Sequence, residues 1–533
     1  MTEPNVTVTA HANDLLQAMA SEERPARTSR EKYGKKAKVG AMWSVGRESV
    51  TQLMGIPTTL ILARLLSPSD FGIAAAATFF IQLGKRLGNM GLNTALVRMT
   101  DVREEHRASV FAINMVFGLL AWAALMIAAP HIGAFYGEPR VVGAVRLAST
   151  IFLVNFFGAV EYAVLQRDMK FREMALVEWT QPAVFLPVSI GLAWAGWGFW
   201  ALLLGQVISN AASTASKMYF GRWRPSLAVT RVGIAETVPF GMGVYAKRLL
   251  TYAAENLDSL VVGGLFGVTA LGYYDKAFNA ASNLSNRLSI GATVMFRIFA
   301  IIKDERVRFV RAYTKVVLAG TFATLPIFAG LFVAAPEFIS VVFGEQWLPA
   351  VVPFQLLCAA GGLRLLASYA SAAVQASGQI WGEVWRKVAQ VALIVGLVFA
   401  FRGWGIEGAA LGVLASSLIL AVLMQGLVGR IVGLTWWEMW TPLWPSIVAA
   451  TVTASVVAVT TIATRSWSPT SPDWLLLMLQ TTAGSLSWIA FALFAPFRTL
   501  QGVVDEMLDD IVPRVARRYI DRIRRRPTPP HSA

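Results

Sequence analysis

Residues 65–72 read LLSPSDFG, and residues 265–272 read LFGVTALG, a spacing of 200 positions. Further along the chain, FYGE at 135–138 matches VFGE at 342–345, and WGF at 197–199 matches WGI at 404–406, each at a spacing of 207. VLQ at 164–166 matches AVQ at 373–375 at a spacing of 209. Because these matches keep their order at a nearly constant spacing, they predict that the chain contains two copies of one structural unit.

The composition is that of a membrane protein. Of the 533 residues, 55% are hydrophobic and only 15% are charged, whereas about 25% are charged in an ordinary soluble domain. Apolar stretches near the ~20 residues that a bilayer core demands recur from Val39 to Pro496. They predict an all-α polytopic membrane protein with about 14 transmembrane helices, at approximately 40–64, 71–97, 106–129, 141–166, 172–195, 198–220, 236–262, 268–297, 312–335, 350–376, 382–402, 405–430, 443–464 and 474–496.

Each predicted copy holds six of these spans. Because six is even, both copies enter the membrane from the same side, which predicts parallel repeats with the substrate path between them. The expected architecture is two pseudo-symmetric six-helix lobes around a central cavity, plus two extra C-terminal helices. We expect a cytoplasmic N-terminal tail at 1–39, an N-lobe at 40–231 and a C-lobe at 232–435. Helices 13 and 14 follow at 436–497, and a basic cytoplasmic tail at 498–533.

Lys and Arg in the loops predict the orientation. The connections on one side carry clusters such as Arg167, Lys170 and Arg172, whereas the opposite loops offer only Arg64, Arg140, Arg402 and Arg465. By the positive-inside rule both termini are expected in the cytoplasm, and the location is expected to be the bacterial inner membrane. The polar first 38 residues lack the apolar core of a signal peptide. The loop bias and the tails account for the net charge of +15, so a nucleic-acid partner is not expected.

Several kinds of chemistry have no counterpart in the sequence. Cys358 is the only cysteine, and the four histidines are scattered over tails and loops. No Cys/His spacing resembles a metal site, and no glycine-rich phosphate loop precedes a Lys-Ser/Thr pair. We therefore predict no metal, no cofactor and no catalytic residue.

Charged residues inside the predicted spans occur at matching places in the two copies. Arg47 and Lys247 are 200 positions apart, and Arg86 and Arg287 are 201 apart. Because a charge at the bilayer centre costs about 2.5–3.5 kcal/mol on insertion scales, it normally faces a protein-lined or watery cavity. Polar residues at helical spacing surround these cations. The predicted substrate-binding residues are Arg47, Lys85, Arg86, Asn89, Lys247, Arg248, Asn279, Asn283 and Arg287, and the candidates for ion or proton coupling are Glu48, Glu255 and Asp258.

Two other interpretations of these charges stay open. Neighbouring opposite charges could pair as buried ions that fix helix packing. The lysines and arginines could also lie near the membrane interface and extend their charged ends into water. A second polar stripe, Glu161 with Gln166, is explained at least as well by packing.

Several motifs together resemble the polysaccharide transporter family, the O-antigen and exopolysaccharide flippases. They are LLSPSDFG at 65–72, GLNTALV at 91–97, FYGEP at 135–139, LQR at 165–167, MKF at 169–171, NLD at 256–258 and LGYY at 271–274. The resemblance covers about residues 40 to 435. It implies the fold of the multidrug/oligosaccharidyl-lipid/polysaccharide (MOP) exporters, with alternating access between two lobes.

The resemblance also implies a function in lipopolysaccharide or exopolysaccharide biosynthesis. The implied substrate is a polyprenyl-pyrophosphate-linked oligosaccharide repeat unit, moved from the cytoplasmic to the periplasmic leaflet. Membrane lipids would be partners as well, and a polysaccharide polymerase and chain-length or export machinery are further candidates. The family has no strict catalytic signature, so no active-site residue is carried over.

Two alternative functions would require other residues than those in the sequence. An ion-coupled extruder of small cations or drugs would want a cavity rich in acids, and here the bases outnumber them. A membrane polysaccharide polymerase or ligase would need a sizeable extracytoplasmic loop with catalytic groups. The longest such loop, 335–349, contains only Glu337 and Glu345 as ionisable residues. Both alternatives are therefore disfavoured.

Overall fold

Nearly every described residue of the protein lies in a helix or in a short connection between helices. The computed structural model describes residues 50–88, 102–222, 230–288 and 290–494, together with residues 43, 46, 93, 96, 97, 99, 226, 497, 501 and 502. For residues 87, 88, 231–251, 253–255, 287 and 290–294 it describes only the backbone. No β-strand occurs in these ranges, which confirms the all-α prediction.

The helices follow one another with short connections. Their bounds are α1 Val50–Leu65, α2 Pro68–Gly88, α3 Glu104–Tyr136, α4 Arg140–Asn155, α5 Ala159–Arg167, α6 Phe171–Trp194, α7 Phe199–Gly221, α8 Arg231–Leu288, α9 Ile290–Ile302, α10 Arg306–Val333, α11 Ala335–Val342, α12 Val351–Ala376, α13 Ile380–Ala400, α14 Gly405–Val432, α15 Trp436–Trp440, α16 Trp444–Trp467 and α17 Asp473–Phe494. Single 3-10 turns at Phe156–Gly158, Glu345–Ala350, Arg402–Trp404 and Thr441–Leu443 join some of them.

Membrane-spanning segments are confirmed by length and composition. Among the described residues, nine helical segments are long and apolar enough to cross a bilayer. The protein is therefore a multi-pass membrane protein. The predicted total of about 14 spans stays a prediction.

The chain divides into two compact units. Unit 1 takes its described residues from Met1–Ile61, Gly84–Met126 and Leu147–Tyr245. Unit 2 takes its described residues from Leu62–Leu83, Ile127–Arg146 and Ala246–Ala533. The start of α2 and the α3–α4 corner therefore belong to unit 2. The predicted lobe boundaries near 40, 231 and 435 stay predictions.

Unit 1 is built around the packing of α5, α6 and α7 on one another. Small residues allow the close approach. At Gly205 on α7, an added Cβ would lie 2.0 Å from the Ser189 hydroxyl of α6. Such contacts are typical of membrane helices, which gain little from hydrophobic burial and associate by packing. Pro182 and Pro187 lie inside α6, where each removes one backbone hydrogen bond.

Unit 2 has a core formed by α9, α10, α12 and α14. Phe299, Tyr313, Leu366 and Met424 are buried there. The last two long helices add to this core, because α16 packs on α10 and α17 packs on α16. Trp488 of α17 donates its indole N–H to the Phe322 carbonyl of α10 over 3.1 Å. The extra C-terminal helices are therefore an integral part of unit 2.

Matched backbone conformations support the predicted duplication. Gly137 and Gly344, 207 positions apart, both follow a helix with positive φ, 64° and 107°. Gly198 and Gly405, at the same spacing, have φ/ψ of 55°/−135° and 62°/−140°. Only glycine adopts such conformations without strain. Both copies thus turn the chain into a following helix, α7 or α14, in the same way.

A single non-helical residue lies in the predicted gap between spans seven and eight. α8 runs from Arg231 to Leu288 but is interrupted at Gly267, whose φ/ψ of 82°/175° are not helical. The interruption separates a first arm, 231–266, from a second arm, 268–288. These correspond to the predicted spans at 236–262 and 268–297.

Candidate functional site

Some of the predicted site residues have side chains outside the described part of the protein. Arg47, Glu48 and Asn89 lie outside the described residues altogether. The backbones of four others are helical and belong to α8, namely Lys247, Arg248, Glu255 and Arg287. The roles assigned to these seven residues stay predictions.

The other predicted residues are described, each within its own unit. Lys85 and Arg86 are half-buried in the last turn of α2, in unit 1. Asn279 and Asn283 are exposed on the second arm of α8, in unit 2, one helical turn apart. Asp258 is buried on the first arm of the same helix.

Unit 1 contains a polar cavity of about 570 Å³. This volume is within the range of about 300–1,000 Å³ that is typical of small-molecule sites. Side chains and backbone of α1, α5, α6 and α7 form its wall, and its lining residues are Thr51, Gly55, Tyr162, Val177, Glu178, Gln181, Pro182, Phe185, Ser213 and Lys217.

Lys217 and Glu178 are the charged residues in this wall. The Tyr162 hydroxyl donates a short hydrogen bond to Oε1 of Glu178. The Lys217 ammonium lies 5.9 Å from the centroid of the Tyr162 ring, within reach of a cation–π interaction. Lys217 is also electrostatically coupled to the Glu178 carboxylate and to Lys85 of α2. The predicted cation Lys85 therefore lies near this cavity.

Helical spacing explains how these side chains come to share one wall. Ser213 and Lys217 are four residues apart on α7, and Glu178 and Gln181 are three apart on α6, so each pair faces the same side. Gly158 makes room for the stem of Lys217, because a Cβ at that position would lie 2.9 Å from the Lys217 Cδ atom.

Backbone groups add to the polarity of the cavity. Pro182 lacks an N–H, so the helix cannot give the Glu178 carbonyl its usual donor. Ammonium, hydroxyl, amide and carbonyl groups thus face one space among membrane helices. Such a set can bind an anion through the lysines and hydroxyl-bearing groups through the neutral donors and acceptors.

Unit 2 contains a separate polar cluster around Asp258. Oδ2 of Asp258 accepts a hydrogen bond from the Tyr274 hydroxyl over 2.7 Å, and Oδ1 accepts one from the Ser259 N–H over 2.9 Å. The carboxylate is also electrostatically coupled to Arg364 of α12. Arg364 in turn donates to the Ser282 hydroxyl over 3.3 Å. These contacts tie the two arms of α8 to α12.

A second buried cation of unit 2 lies among aromatic rings. The Lys276 ammonium is 3.6 Å from the centroid of the Phe71 ring and 5.8 Å from that of Trp347. The Trp347 indole N–H donates to the Ala63 carbonyl over 2.9 Å, and the amide of Gln346 donates to the same oxygen over 2.6 Å. This arrangement fixes the α1–α2 corner against the turn Glu345–Ala350.

None of the residues that line the unit 1 cavity is among the predicted site residues. Lys217 lies within the predicted span 198–220 without being a predicted site residue, and the structure places it inside α7, four residues before its end. Glu178 and Gln181 were not singled out. Their signal was available as two polar residues three apart within an apolar segment that also carries two prolines.

Comparison with known proteins identifies the family. A family profile described as "Polysaccharide biosynthesis protein" matches residues 61–352, more than half of the chain. The chain belongs to this family. The chain is similar to the lipopolysaccharide biosynthesis protein WzxC of Escherichia coli (strain K12), with 24% identity over 392 residues, which are 72% of this chain and 79% of WzxC. The succinoglycan biosynthesis transport protein ExoT of Rhizobium meliloti (strain 1021) is 25% identical over 402 residues, 74% of this chain and 78% of ExoT.

Two solved structures have the same fold as this chain. The lipid II flippase MurJ in an inward closed conformation superposes with a TM-score of 0.68 at 14% identity, covering 85% of this chain and 98% of MurJ. An inward-facing multidrug transporter of the MATE family, from the MOP superfamily, superposes with a TM-score of 0.55 at 15% identity, covering 73% of this chain and 98% of that chain. The MOP-exporter fold expected from the sequence is confirmed.

Proposed function

We propose that this chain is a flippase of lipopolysaccharide or exopolysaccharide biosynthesis. It moves polyprenyl-pyrophosphate-linked oligosaccharide repeat units from the cytoplasmic to the periplasmic leaflet of the inner membrane, with both of its termini in the cytoplasm. The observation that carries this proposal is a cavity among membrane helices with Lys217 in its wall and Lys85 near Lys217, in a chain of the polysaccharide biosynthesis family.

The chemistry of the cavity suits such a substrate. A pyrophosphate that leaves one headgroup layer loses its hydration before it reaches the other. Lys85 and Lys217 would replace that hydration with charge-assisted hydrogen bonds, and the substrate-binding roles of Arg47, Arg86 and Arg287 stay predictions. The side chains of Gln181 and Ser213 would bind sugar hydroxyls. The polyprenyl tail stays in the lipid and needs no room in the cavity.

The membrane potential would favour this direction of transport. With the cytoplasm negative, the free energy of each negative charge that moves outward falls by about 2.3 kcal/mol per 100 mV. The substrate leaves with its covalent bonds intact, so the proposed activity is transport without a catalytic step. Names of relatives such as WzxC and ExoT agree with this role.

The leaflet in which the intermediate accumulates tests the proposal. In a strain that lacks this chain, we expect single lipid-linked repeat units to accumulate in the cytoplasmic leaflet, inaccessible to a sugar-modifying enzyme added to spheroplasts. Accumulation of unpolymerised units in the periplasmic leaflet would instead identify a polymerase or ligase. Normal polymer with increased sensitivity to cationic drugs would identify an ion-coupled extruder.

A further inference from the structure

Glu161 of α5 is a fully buried acid, with 0% of its surface exposed. Neither of its carboxylate oxygens has a hydrogen-bond partner among the residues that the structure describes. An ionised carboxylate that lacks both water and hydrogen bonds is costly, because nothing replaces its hydration. Among the described residues, the charge of an ionised Glu161 would therefore be balanced by a nearby cation and by no hydrogen bond.

The charged groups around Glu161 come from the helices that form the unit 1 cavity. Lys217 of α7 is the cation to which its carboxylate is electrostatically coupled. Lys217 is coupled in turn to Glu178 of α6 and to Lys85 of α2. Tyr162, the next residue on α5, donates its hydroxyl to Glu178. Lys217 thus interacts with two acids, of which only Glu178 has a hydrogen-bond donor in the described contacts.

The backbone of α7 holds the Glu161 side chain in place. A Cβ at Gly221 would lie 2.5 Å from the Glu161 Cβ atom and 2.7 Å from its Cγ atom. Gly221 is one helical turn after Lys217, on the same side of α7. Glu161 therefore packs against the face of α7 that carries Lys217.

The corresponding region of the second predicted copy contains a buried acid that has hydrogen-bond partners, and it serves as a comparison for Glu161. At the spacing of 209, Tyr162 corresponds to Ser371, and Glu161 corresponds to Ala370. The buried acid of that region is Glu383, which is 3% exposed. Its Oε1 atom accepts from the Ser371 hydroxyl over 2.5 Å and from the Gln375 amide over 3.2 Å, and it lies 3.4 Å from the Lys387 ammonium. Oε1 of Glu383 thus has three partners, whereas Glu161 has no acid counterpart in the second copy and no hydrogen-bond partner among the described residues.

We propose that Glu161 is a proton-binding site of unit 1, and that an anion bound at Lys217 favours its protonated form. The Lys217 cation stabilises an ionised Glu161. When a phosphate-type anion neutralises Lys217, that stabilisation is lost and Glu161 takes up a proton. When the anion leaves, the Lys217 cation again stabilises the ionised form, and the protonated fraction of Glu161 falls. The inference rests on the proposed function only for the identity of the anion.

Infrared difference spectroscopy of the full chain in phospholipid vesicles tests this proposal. The C=O stretch of a protonated carboxyl in an apolar environment is expected in the wild type at near-neutral pH. We expect that band to be lost in Glu161→Gln and kept in the matched control Glu383→Gln. Inorganic pyrophosphate at constant pH should increase the band in the wild type and leave it unchanged in Lys217→Met.

Two results would overturn the proposal. One is a band that is the same in the wild type and in Glu161→Gln. The other is a wild-type band that does not respond to pyrophosphate. If Glu161→Gln does not fold, Glu161→Asp replaces it, because the shorter acid should move the band and an unmoved band excludes Glu161 as its source. A normal band response in a protein that flips no lipid-linked sugar would contradict the proposed function and leave this inference standing.

Discussion

Gly72 and Gly272 lie against each other with no room for a side chain on either. A Cβ at Gly72 would lie 1.7 Å from the Val268 carbonyl oxygen and 3.1 Å from the Gly272 nitrogen. A Cβ at Gly272 would lie 1.9 Å from the Pro68 carbonyl oxygen and 3.2 Å from the Gly72 nitrogen. Because Pro68 and Val268 are themselves 200 positions apart, the contact is reciprocal. The starts of α2 and of the second arm of α8 are thus related by local pseudo-two-fold symmetry, which agrees with the predicted duplication.

This contact predicts that Gly72→Ala destabilises the protein. The new methyl group would overlap a backbone oxygen that no rotamer change can move, and overpacking typically costs about 1–3 kcal/mol. Gly272→Ala should have a similar effect, since its surroundings are equivalent. The stability of both variants can be measured by thermal unfolding in detergent, with the fraction of protein that stays monodisperse as the readout.

Gly396→Ala is the matched control for these variants. Gly396 lies inside α13 with no atom within 4 Å of an added Cβ. Alanine in a helix is more stable than glycine by about 0.5–1 kcal/mol, so this variant should be as stable as the wild type or slightly more stable. Equal stability of all three variants would show that the glycine contact does not form.

Removing the ammonium from the cavity should stop transport. We expect Lys217→Met to reduce polymer export about ten-fold or more, since hydrogen bonds to charged groups contribute about 1.5–3 kcal/mol. The amount of protein in the membrane should not change. Lys315→Met, which removes an exposed lysine of α10, is the control and should export normally. Normal export by Lys217→Met would exclude Lys217 from substrate binding.

The last two helices are held by a polar cluster at Glu337. Oε1 of this buried acid of α11 accepts from Arg465 of α16 over 2.9 Å, and Oε2 accepts from Gln480 of α17 over 3.3 Å. Arg465→Met would leave a buried carboxylate without its cation, and should lower the free energy of unfolding by about 1–3 kcal/mol. In the double variant Arg465→Met/Glu337→Gln, the free energy of unfolding should fall by less than the sum of the two single-variant decreases. Strict additivity in this cycle would show that the two side chains do not interact.

Trp347 is expected to stabilise unit 2 mainly through its ring. It is fully buried and packs edge-on against Phe71, with ring centroids 5.3 Å apart. Trp347→Phe removes the N–H that donates to the Ala63 carbonyl, but this carbonyl still accepts from Gln346. The free energy of unfolding should therefore fall by only about 0.5–1.5 kcal/mol. Trp347→Ala should cost about 3–5 kcal/mol. Equal unfolding midpoints for the two variants would contradict this division.

Local chemistry made the helix boundaries predictable from the sequence. Gly198 and Gly405 separate apolar segments, and each has the positive φ that ends one helix and starts the next. Gly267 interrupts α8 within the predicted gap between spans seven and eight. α10 begins at Arg306 rather than near 312, because hydropathy reports the bilayer core and the helix continues through its charged first turns.

The cavity could not be predicted in the same way. Hydropathy treats Lys217 as the basic end of a span, and nothing local shows that the 3-10 turn at Gly158 makes room for its stem. Helical spacing grouped Asp258 with the polar stripes of α8, but its pairing with Tyr274 depends on how the chain turns at Gly267. Such contacts depend on the packing of distant segments, which a single sequence does not encode in an easily read pattern.

Transbilayer movement of a lipid-linked sugar by the purified protein tests the central claim most directly. A polyprenyl-pyrophosphate oligosaccharide is placed in both leaflets of protein-containing vesicles, and a membrane-impermeant sugar-modifying enzyme is added outside. We predict complete modification with the wild type and modification of only the outer-leaflet half with a Lys85→Met/Lys217→Met double variant. Modification of only half with the wild type, or of all the substrate with the double variant, would contradict the account.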